Sequence, residues 1–262
     1  MLISHRKKFI YTKTVKTAST SVESFFEPFC MEDGEWSFSD GRDMYISSAG
    51  IIGMRASLPK NVPWFNHMSA TSIKKQLNPH IWDDYFKFTV IRNPFDKILS
   101  GYTMFSRIAA GGNPYLRKLA RRFKFFAPKA QALTPSQEVQ HFRTWLKGIA
   151  ADLEKHKAQH LDDGIAHFEL PIALSIFDQD KYMIDGECCV DDFIRFEFLS
   201  DDIAKVCNRL DIEMSQSTLP ELKMGGRKQK IAVSDYYDAE SEAFVRDLFA
   251  WEIKKFNYSM PN

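Results

Sequence analysis

Residues 7–28 read KKFIYTKTVKTASTSVESFFEP. The apolar and aromatic residues 9–11 are typical of a buried strand. Apolar side chains then recur at helical spacing over 22–26, and Pro28 predicts the end of that helix. Residues 13–20, which lie between them, are rich in hydroxylated, small and basic residues. The stretch therefore predicts a strand, a tight loop and the start of a helix.

This loop has the chemistry of an anion site. The first turn of a helix has unpaired backbone N–H groups, and the helix dipole favours negative charge there. Lys16 adds a full positive charge. Hydroxyl groups that could donate further hydrogen bonds belong to Thr17, Ser19, Thr20 and Ser21. An ordinary strand-to-helix corner with surface hydroxyls is the alternative interpretation.

The loop differs from the usual nucleotide-triphosphate loop, which has two glycines before its lysine. It contains no glycine, and Lys16 stands early in it. Residues 16–21 instead resemble the 5′-phosphosulfate loop of sulfotransferases that use 3′-phosphoadenosine 5′-phosphosulfate (PAPS). The likeness is strongest to the carbohydrate branch, the heparan sulfate 2-O-sulfotransferase-like sulfotransferase family 2. Val15 stands where that family usually has proline. The resemblance implies that the donor is bound by Lys16, Thr17, Ala18, Ser19, Thr20 and Ser21.

A second motif is Arg92-Asn93-Pro94-Phe95, which is followed by Ser100. Residues 85–92 predict a central strand, and Asn93 and Pro94 predict the start of a helix. An arginine at the carboxyl end of a strand lies where α/β proteins bind ligands, and its donors suit a phosphate. The spacing of Arg92 and Ser100 resembles the 3′-phosphate motif of sulfotransferases, which implies that both bind the donor.

His67 lies between the loop and the Arg92 strand, where the resembling branch has its general base. A histidine suits that task because its unperturbed pKa of ~6.5 lets it accept a proton near neutral pH. Glu23 is a second candidate base, provided that its helix turns it toward the donor. The resemblance, which covers residues 8–30, 64–105 and 190–256, also implies a late basic loop over the nucleotide. Arg227 and Lys228 are the candidates there, although a solvated charge run is the alternative.

The whole chain has 262 residues, 44% of them hydrophobic, and a formal net charge of +1. With no linker or repeat, we expect a single domain over 1–262 with a helical insertion at about 106–189. The charge gives no reason to expect nucleic acid, and no apolar run predicts a membrane span. The four cysteines fit neither a zinc site nor a disulfide framework, so we expect no metal and a cytoplasmic location.

Strands that alternate with helices predict an α/β fold, with a mostly parallel central sheet flanked by helices. The resemblance implies the P-loop-NTPase-like sulfotransferase fold and an enzyme that moves the sulfuryl group of PAPS to a hydroxyl, in line, with Lys16 and His67 catalytic. The expected acceptor is a carbohydrate or another hydroxyl compound. The alternatives are a phosphate-loop kinase for small molecules and a non-catalytic module that binds anionic polysaccharide, for which the basic and aromatic residues 117–129 are a candidate surface. The sequence does not identify the acceptor or the oligomeric state.

Overall fold

The structure is a computed structural model, and it describes residues 1–39, 41–55, 62–107, 133–157, 172–216 and 231–262. The chain divides into two compact units. Unit 1 comprises Met1–Arg92 and Phe177–Met224, and unit 2 comprises Asn93–Ile176 and Gly225–Asn262. The single domain and the insertion at 106–189 stay predictions, and residues 108–132 and 158–171 of that insertion lie outside the described residues.

The described strands and helices follow one another along the chain. The strands are β1 (Leu2–Ser4), β2 (Phe9–Thr12), β3 (Tyr45–Ile46), β4 (Gly50–Ile52), β5 (Phe86–Ile91), β6 (Met183–Ile184), β7 (Glu187–Cys188) and β8 (Asp192–Arg195). The helices are α1 (Ser19–Phe26), α2 (Ala70–Gln76), α3 (Pro79–Asp84), α4 (Pro94–Arg107), α5 (Pro135–Lys157), α6 (Leu199–Arg209), α7 (Val233–Tyr236), α8 (Ala239–Leu248) and α9 (Ala250–Phe256).

Unit 1 contains a six-stranded sheet in the order β3-β4-β1-β2-β5-β8. The pairs β2–β5 and β5–β8 are parallel, whereas β1–β2, β1–β4 and β3–β4 are antiparallel. The sheet is therefore mixed, and the prediction of a mostly parallel sheet was wrong. The reason is local: β1 and β2 are joined by only residues 5–8, and so short a connection permits only antiparallel pairing. The parallel half is the part that carries the predicted loop.

Side chains of β2 alternate between the two faces of the sheet, as a strand requires. Phe9 and Tyr11 pack in one apolar cluster with the buried face of α1 and with α6, while Ile10 packs in a second cluster with α2 and α3. Both faces are thus covered by helices, as predicted. The aromatic ring of Phe88 on β5 lies 5.0 Å from that of Phe26 on α1, measured between ring centroids. This packing fixes α1 over the parallel strands, so the loop before α1 opens at their carboxyl ends.

Unit 2 contains α4, α5 and the last three helices. Asn93 caps α4, as predicted, because its side-chain oxygen accepts a hydrogen bond from the N–H of Phe95 at 3.1 Å. Arg143 on α5 donates to the carbonyl oxygen of Tyr236 at 2.9 Å. The hydroxyl of Tyr237 donates to the carbonyl oxygen of Phe95 at 2.8 Å. These bonds tie the last helices to α4 and α5 within the unit.

Candidate active site

The loop between β2 and α1 has an uncommon backbone. Lys16 has φ 65° and Ala18 has φ 59°, which places two residues with side chains in the left-handed region. This region costs about 1–2 kcal/mol for each residue that is not glycine. The loop therefore depends on its surroundings to keep its shape.

Hydroxyl groups supply part of that support. The Thr14 hydroxyl donates to the carbonyl oxygen of Val90 at 2.5 Å, and the Ser19 hydroxyl donates to the carbonyl oxygen of Thr14 at 2.6 Å. Because the Thr14 proton is used on Val90, the Thr17 hydroxyl is the donor in its 2.8 Å bond with Thr14 Oγ1. The hydroxyl protons of Thr17 and Ser19 thus hold the loop together, and the backbone becomes the main candidate to bind a ligand.

The backbone N–H groups of residues 17–20 are available for that role. Within the described part of the chain, none of these four groups donates a hydrogen bond. Ala18 is the N-cap residue of α1 and has no side-chain oxygen with which to cap the helix. Successive N–H groups at a helix start, next to left-handed residues, form a concave site for an anion. The predicted anion site therefore has the required donors.

Arg92 lies beside this loop. It follows β5 directly, and its Nη1 donates to the carbonyl oxygen of Lys16 at 2.9 Å. Its guanidinium stacks on the ring of Phe196, with 4.0 Å between the guanidinium carbon and the ring centroid. The structure thus brings together the two motifs that are 76 residues apart in the sequence. Lys16 and Arg92 thus both follow the carboxyl ends of the parallel strands β2 and β5.

His67 precedes α2 and is tied to the same loop. Its Nδ1 lies 3.0 Å from the carbonyl oxygen of Lys13. A carbonyl oxygen only accepts, so Nδ1 carries the proton and Nε2 of the neutral ring has a lone pair. Burial, and then the charges of Lys13 and Lys181, lower the pKa of His67 well below its usual range, against the opposing effect of the bond to the Lys13 carbonyl. The ring is therefore neutral at neutral pH, with Nε2 able to accept a proton.

Glu23 does not have the surroundings of a base. It is fully buried, and its Oε2 lies 2.5 Å from Lys13 Nζ and 2.6 Å from Arg55 Nη1. Although burial alone would raise its pKa, the positive charges of Lys13 and Arg55 bring the pKa of Glu23 well below its usual range. Glu23 is thus a buried partner for positive charges. Burial is also the main cause that lowers the pKa of Lys13.

The other predicted site residues fall elsewhere. Ser100 lies on α4 in unit 2, so its contact with the same phosphate as Arg92 stays a prediction. Arg227 and Lys228 lie outside the described residues. The sequence interpretation missed Thr14, Asp178 and Lys181. Thr14 stands within the quoted stretch, but no local signal marks Asp178 as a neighbour of the loop or Lys181 as a charge that acts on His67.

These features define a class of protein before any comparison: an α/β protein with an anion loop between a strand and a helix, next to an arginine and a neutral histidine. A model described as "Sulfotransferase family" matches residues 1–259, and the chain belongs to this family. No curated protein and no solved structure gives a significant match. The chain is therefore an enzyme that transfers a sulfuryl group to an acceptor. The likeness to the heparan sulfate 2-O branch stays a prediction.

The described residues contain no group of three or more histidine, cysteine, aspartate or glutamate side chains arranged to hold a metal ion. None of their helices has the length and apolar character needed to cross a membrane.

Replacing Ala18 by glycine tests the strain in the loop. Glycine adopts positive φ without a steric penalty, and this relief exceeds its larger loss of entropy on folding. We expect Ala18→Gly to raise the free energy of unfolding by about 0.5–1 kcal/mol in chemical denaturation. The matched control is Ala204→Gly inside α6, which should lower it by about 1 kcal/mol. Equal losses in both variants would show that Ala18 is not strained.

The pKa of His67 can be measured by following its ring signals in an NMR titration. We expect a value below the ordinary ~6.5, with the neutral ring protonated on Nδ1. Lys181→Gln should move this pKa upward, because it removes one of the positive charges that oppose protonation. Lys75→Gln, at an exposed position on α2, is the control and should leave it unchanged. An ordinary His67 pKa in the parent protein would contradict the assigned surroundings.

Proposed function

We propose that the protein transfers the sulfuryl group of PAPS to a hydroxyl, and that the donor's phosphosulfate lies on the loop between β2 and α1. The observation that carries this proposal is the row of N–H groups at residues 17–20, which donate no hydrogen bond among the residues that the structure describes. Lys16 lies on the same loop, and Arg92 is bonded to that loop. A donor with one anionic group at its 5′ end and another at its 3′ position matches two adjacent cationic sites. Arg92 and Ser100 are the proposed ligands of the 3′-phosphate.

His67 is the proposed general base. Its Nε2 takes the proton of the acceptor hydroxyl while the acceptor oxygen forms a bond to sulfur. The bond between sulfur and the bridging oxygen of the 5′-phosphate breaks, and 3′-phosphoadenosine 5′-phosphate leaves. The hydrogen bond from Nδ1 to the Lys13 carbonyl supports this role, because it fixes the tautomer and the ring orientation. Because its pKa is lowered, His67 stays neutral at pH values at which an ordinary histidine is protonated.

Lys16 and the N–H groups of residues 17–20 are proposed to stabilise the transition state. Negative charge grows on the bridging oxygen as the bond to sulfur breaks, and fixed donors aimed at that oxygen lower the barrier. The rigid support of the loop favours this proposal, since a preorganised site does not have to rearrange during the reaction.

The acceptor is proposed to be a carbohydrate. The support is the resemblance of residues 16–21 to the loop of the carbohydrate branch, and no sugar-binding side chain has been assigned. A transfer screen with labelled PAPS over polysaccharides, glycolipids and small alcohols tests this part separately. Labelling of the small alcohols alone would remove the carbohydrate proposal and leave the sulfuryl transfer.

Calorimetric titration distinguishes the three functions that the sequence left open. The proposal predicts tight binding of 3′-phosphoadenosine 5′-phosphate without added metal, and weaker binding of ATP, which lacks a 3′-phosphate. Preference for ATP with Mg²⁺ would support the kinase. Binding of anionic polysaccharide without either nucleotide would support the non-catalytic module.

Variants at the site test the individual roles. Lys16→Ala should lower kcat by about 100-fold or more, the effect of losing one transition-state donor. Arg92→Ala should mainly raise the KM for PAPS. His67→Asn keeps a side-chain donor for the Lys13 carbonyl but has no base, so it should bind 3′-phosphoadenosine 5′-phosphate and lose transfer.

The matched control for these variants is Lys75→Ala on the exposed face of α2, which should behave as the parent. Parent-like turnover of Lys16→Ala or His67→Asn would remove that residue from the mechanism. A change confined to kcat in Arg92→Ala would contradict its role at the 3′-phosphate.

A further inference from the structure

Asp178 is a buried acid that contacts the loop from a distant part of the chain. Its side chain is fully buried, and its Oδ2 accepts a hydrogen bond from the N–H of Val15 at 2.5 Å. The two residues are 163 positions apart and belong to the same unit. We propose that Asp178 is a positioning residue, which sets the loop for donor binding by holding the Val15 N–H.

The position of this bond in the loop supports the proposal. Val15 directly precedes Lys16, the first left-handed residue, so the bond fixes the backbone at the point where the chain turns. On the other side of the turn, Arg92 holds the carbonyl oxygen of Lys16. The peptide unit that precedes Val15 and the peptide unit that follows Lys16 are thus held by charged side chains from outside the loop. A left-handed residue that is not glycine persists only where its surroundings determine it in this way.

The side chain of Asp178 does not cap the turn that follows it. Asp178 is the N-cap residue of the short 3₁₀ turn Gln179–Lys181, yet its side chain makes no capping hydrogen bond there. Aspartate at such a position commonly caps the turn that follows. Burying a carboxylate is costly unless it is hydrogen-bonded, so a carboxylate directed at the loop indicates a bond that the fold requires.

Val15 is also where this chain differs from the resembling loops, which usually have proline. Proline has no N–H and fixes φ by its ring. A valine at this position has an N–H group, and no ring fixes its φ. Asp178 accepts a hydrogen bond from that N–H group. The bond thereby supplies a restraint that a ring would otherwise supply. The inference rests on the proposed function only where it concerns the donor; the restraint on the loop does not depend on it.

The first experiment measures the loop without any ligand. Hydrogen–deuterium exchange of a peptide that covers residues 13–20 should be about 10- to 100-fold faster in Asp178→Ala, the effect of losing a hydrogen bond to a charged group. Asp178→Asn keeps an oxygen that accepts from Val15 and should exchange nearly as slowly as the parent. Asp202→Ala is the matched control in unit 1, because Asp202 is a buried acid bonded to the N–H of Arg195 and not to the loop. Unchanged exchange in Asp178→Ala, or equal acceleration in Asp202→Ala, would overturn the proposal.

The second experiment is a double-mutant cycle with Val15→Pro. Asp178→Ala alone should raise the KM for PAPS about 10-fold or more and leave the acceptor KM unchanged. In the Val15→Pro background, Asp178→Ala should change the KM for PAPS little further, because position 15 then has no N–H for Asp178 to hold. Additive effects would show that Asp178 acts elsewhere. If thermal unfolding shows that Val15→Pro does not fold, the comparison of Asp178→Ala with Asp178→Asn tests the role of Asp178 instead. Failure of the parent to bind PAPS would refute the proposed function, while the exchange result would still test Asp178.

Discussion

The left-handed backbone at Lys16 and Ala18 is the constraint on which the rest of the site depends. It leads the chain from β2 into the start of α1, and within the described residues the N–H groups of residues 17–20 donate no hydrogen bond. That turn is unfavourable for residues with side chains, and it is held from several directions: by Val90 through Thr14, by Arg92 and by Asp178. A glycine-rich loop would reach the same shape without strain, but it would also be free to leave it. The loop between β2 and α1 is instead held rigidly, which suits a site that has to be preorganised for a transition state.

Unit 1 also contains a group of buried ion pairs. Lys13 and Glu23 form an ion pair beneath the loop, and Arg55 bonds both Glu23 and Glu27. Removing one member of such a group leaves a buried charge without compensation, which destabilises a protein strongly. The same group contacts the candidate base, because the Lys13 carbonyl orients His67, and burial together with the Lys13 charge lowers the pKa of His67. The fold and the base are therefore coupled through one residue.

The sequence predicted the parts of this architecture that are local. The strand at residues 9–11 and the helix start at Asn93 and Pro94 are set by neighbouring residues, and the structure has them. The strand β1 was missed because three residues are too short for a periodic signal, and with it the mixed character of the sheet.

Long-range contacts could not be read from the chain. The sequence predicted the hydroxyls of Thr17 and Ser19 as ligands of the donor, and only the positions of Thr14 and Val90 show that they support the loop. Their role as ligands stays a prediction. Asp178 and Lys181 belong to a segment without a motif, and their proximity to the loop follows from the course of the chain between α5 and β8. The roles of Ser100, Arg227 and Lys228 stay predictions.

Whether the N–H groups of residues 17–20 bind the donor is tested most directly by a titration of the ¹⁵N-labelled protein with 3′-phosphoadenosine 5′-phosphate, followed through the backbone amide signals. We predict that the amides of residues 17–20 show the largest shifts. In Lys16→Ala these shifts should be smaller but should occur at the same amides. Large shifts elsewhere in the chain, with the amides of 17–20 unchanged at saturation, would contradict this prediction.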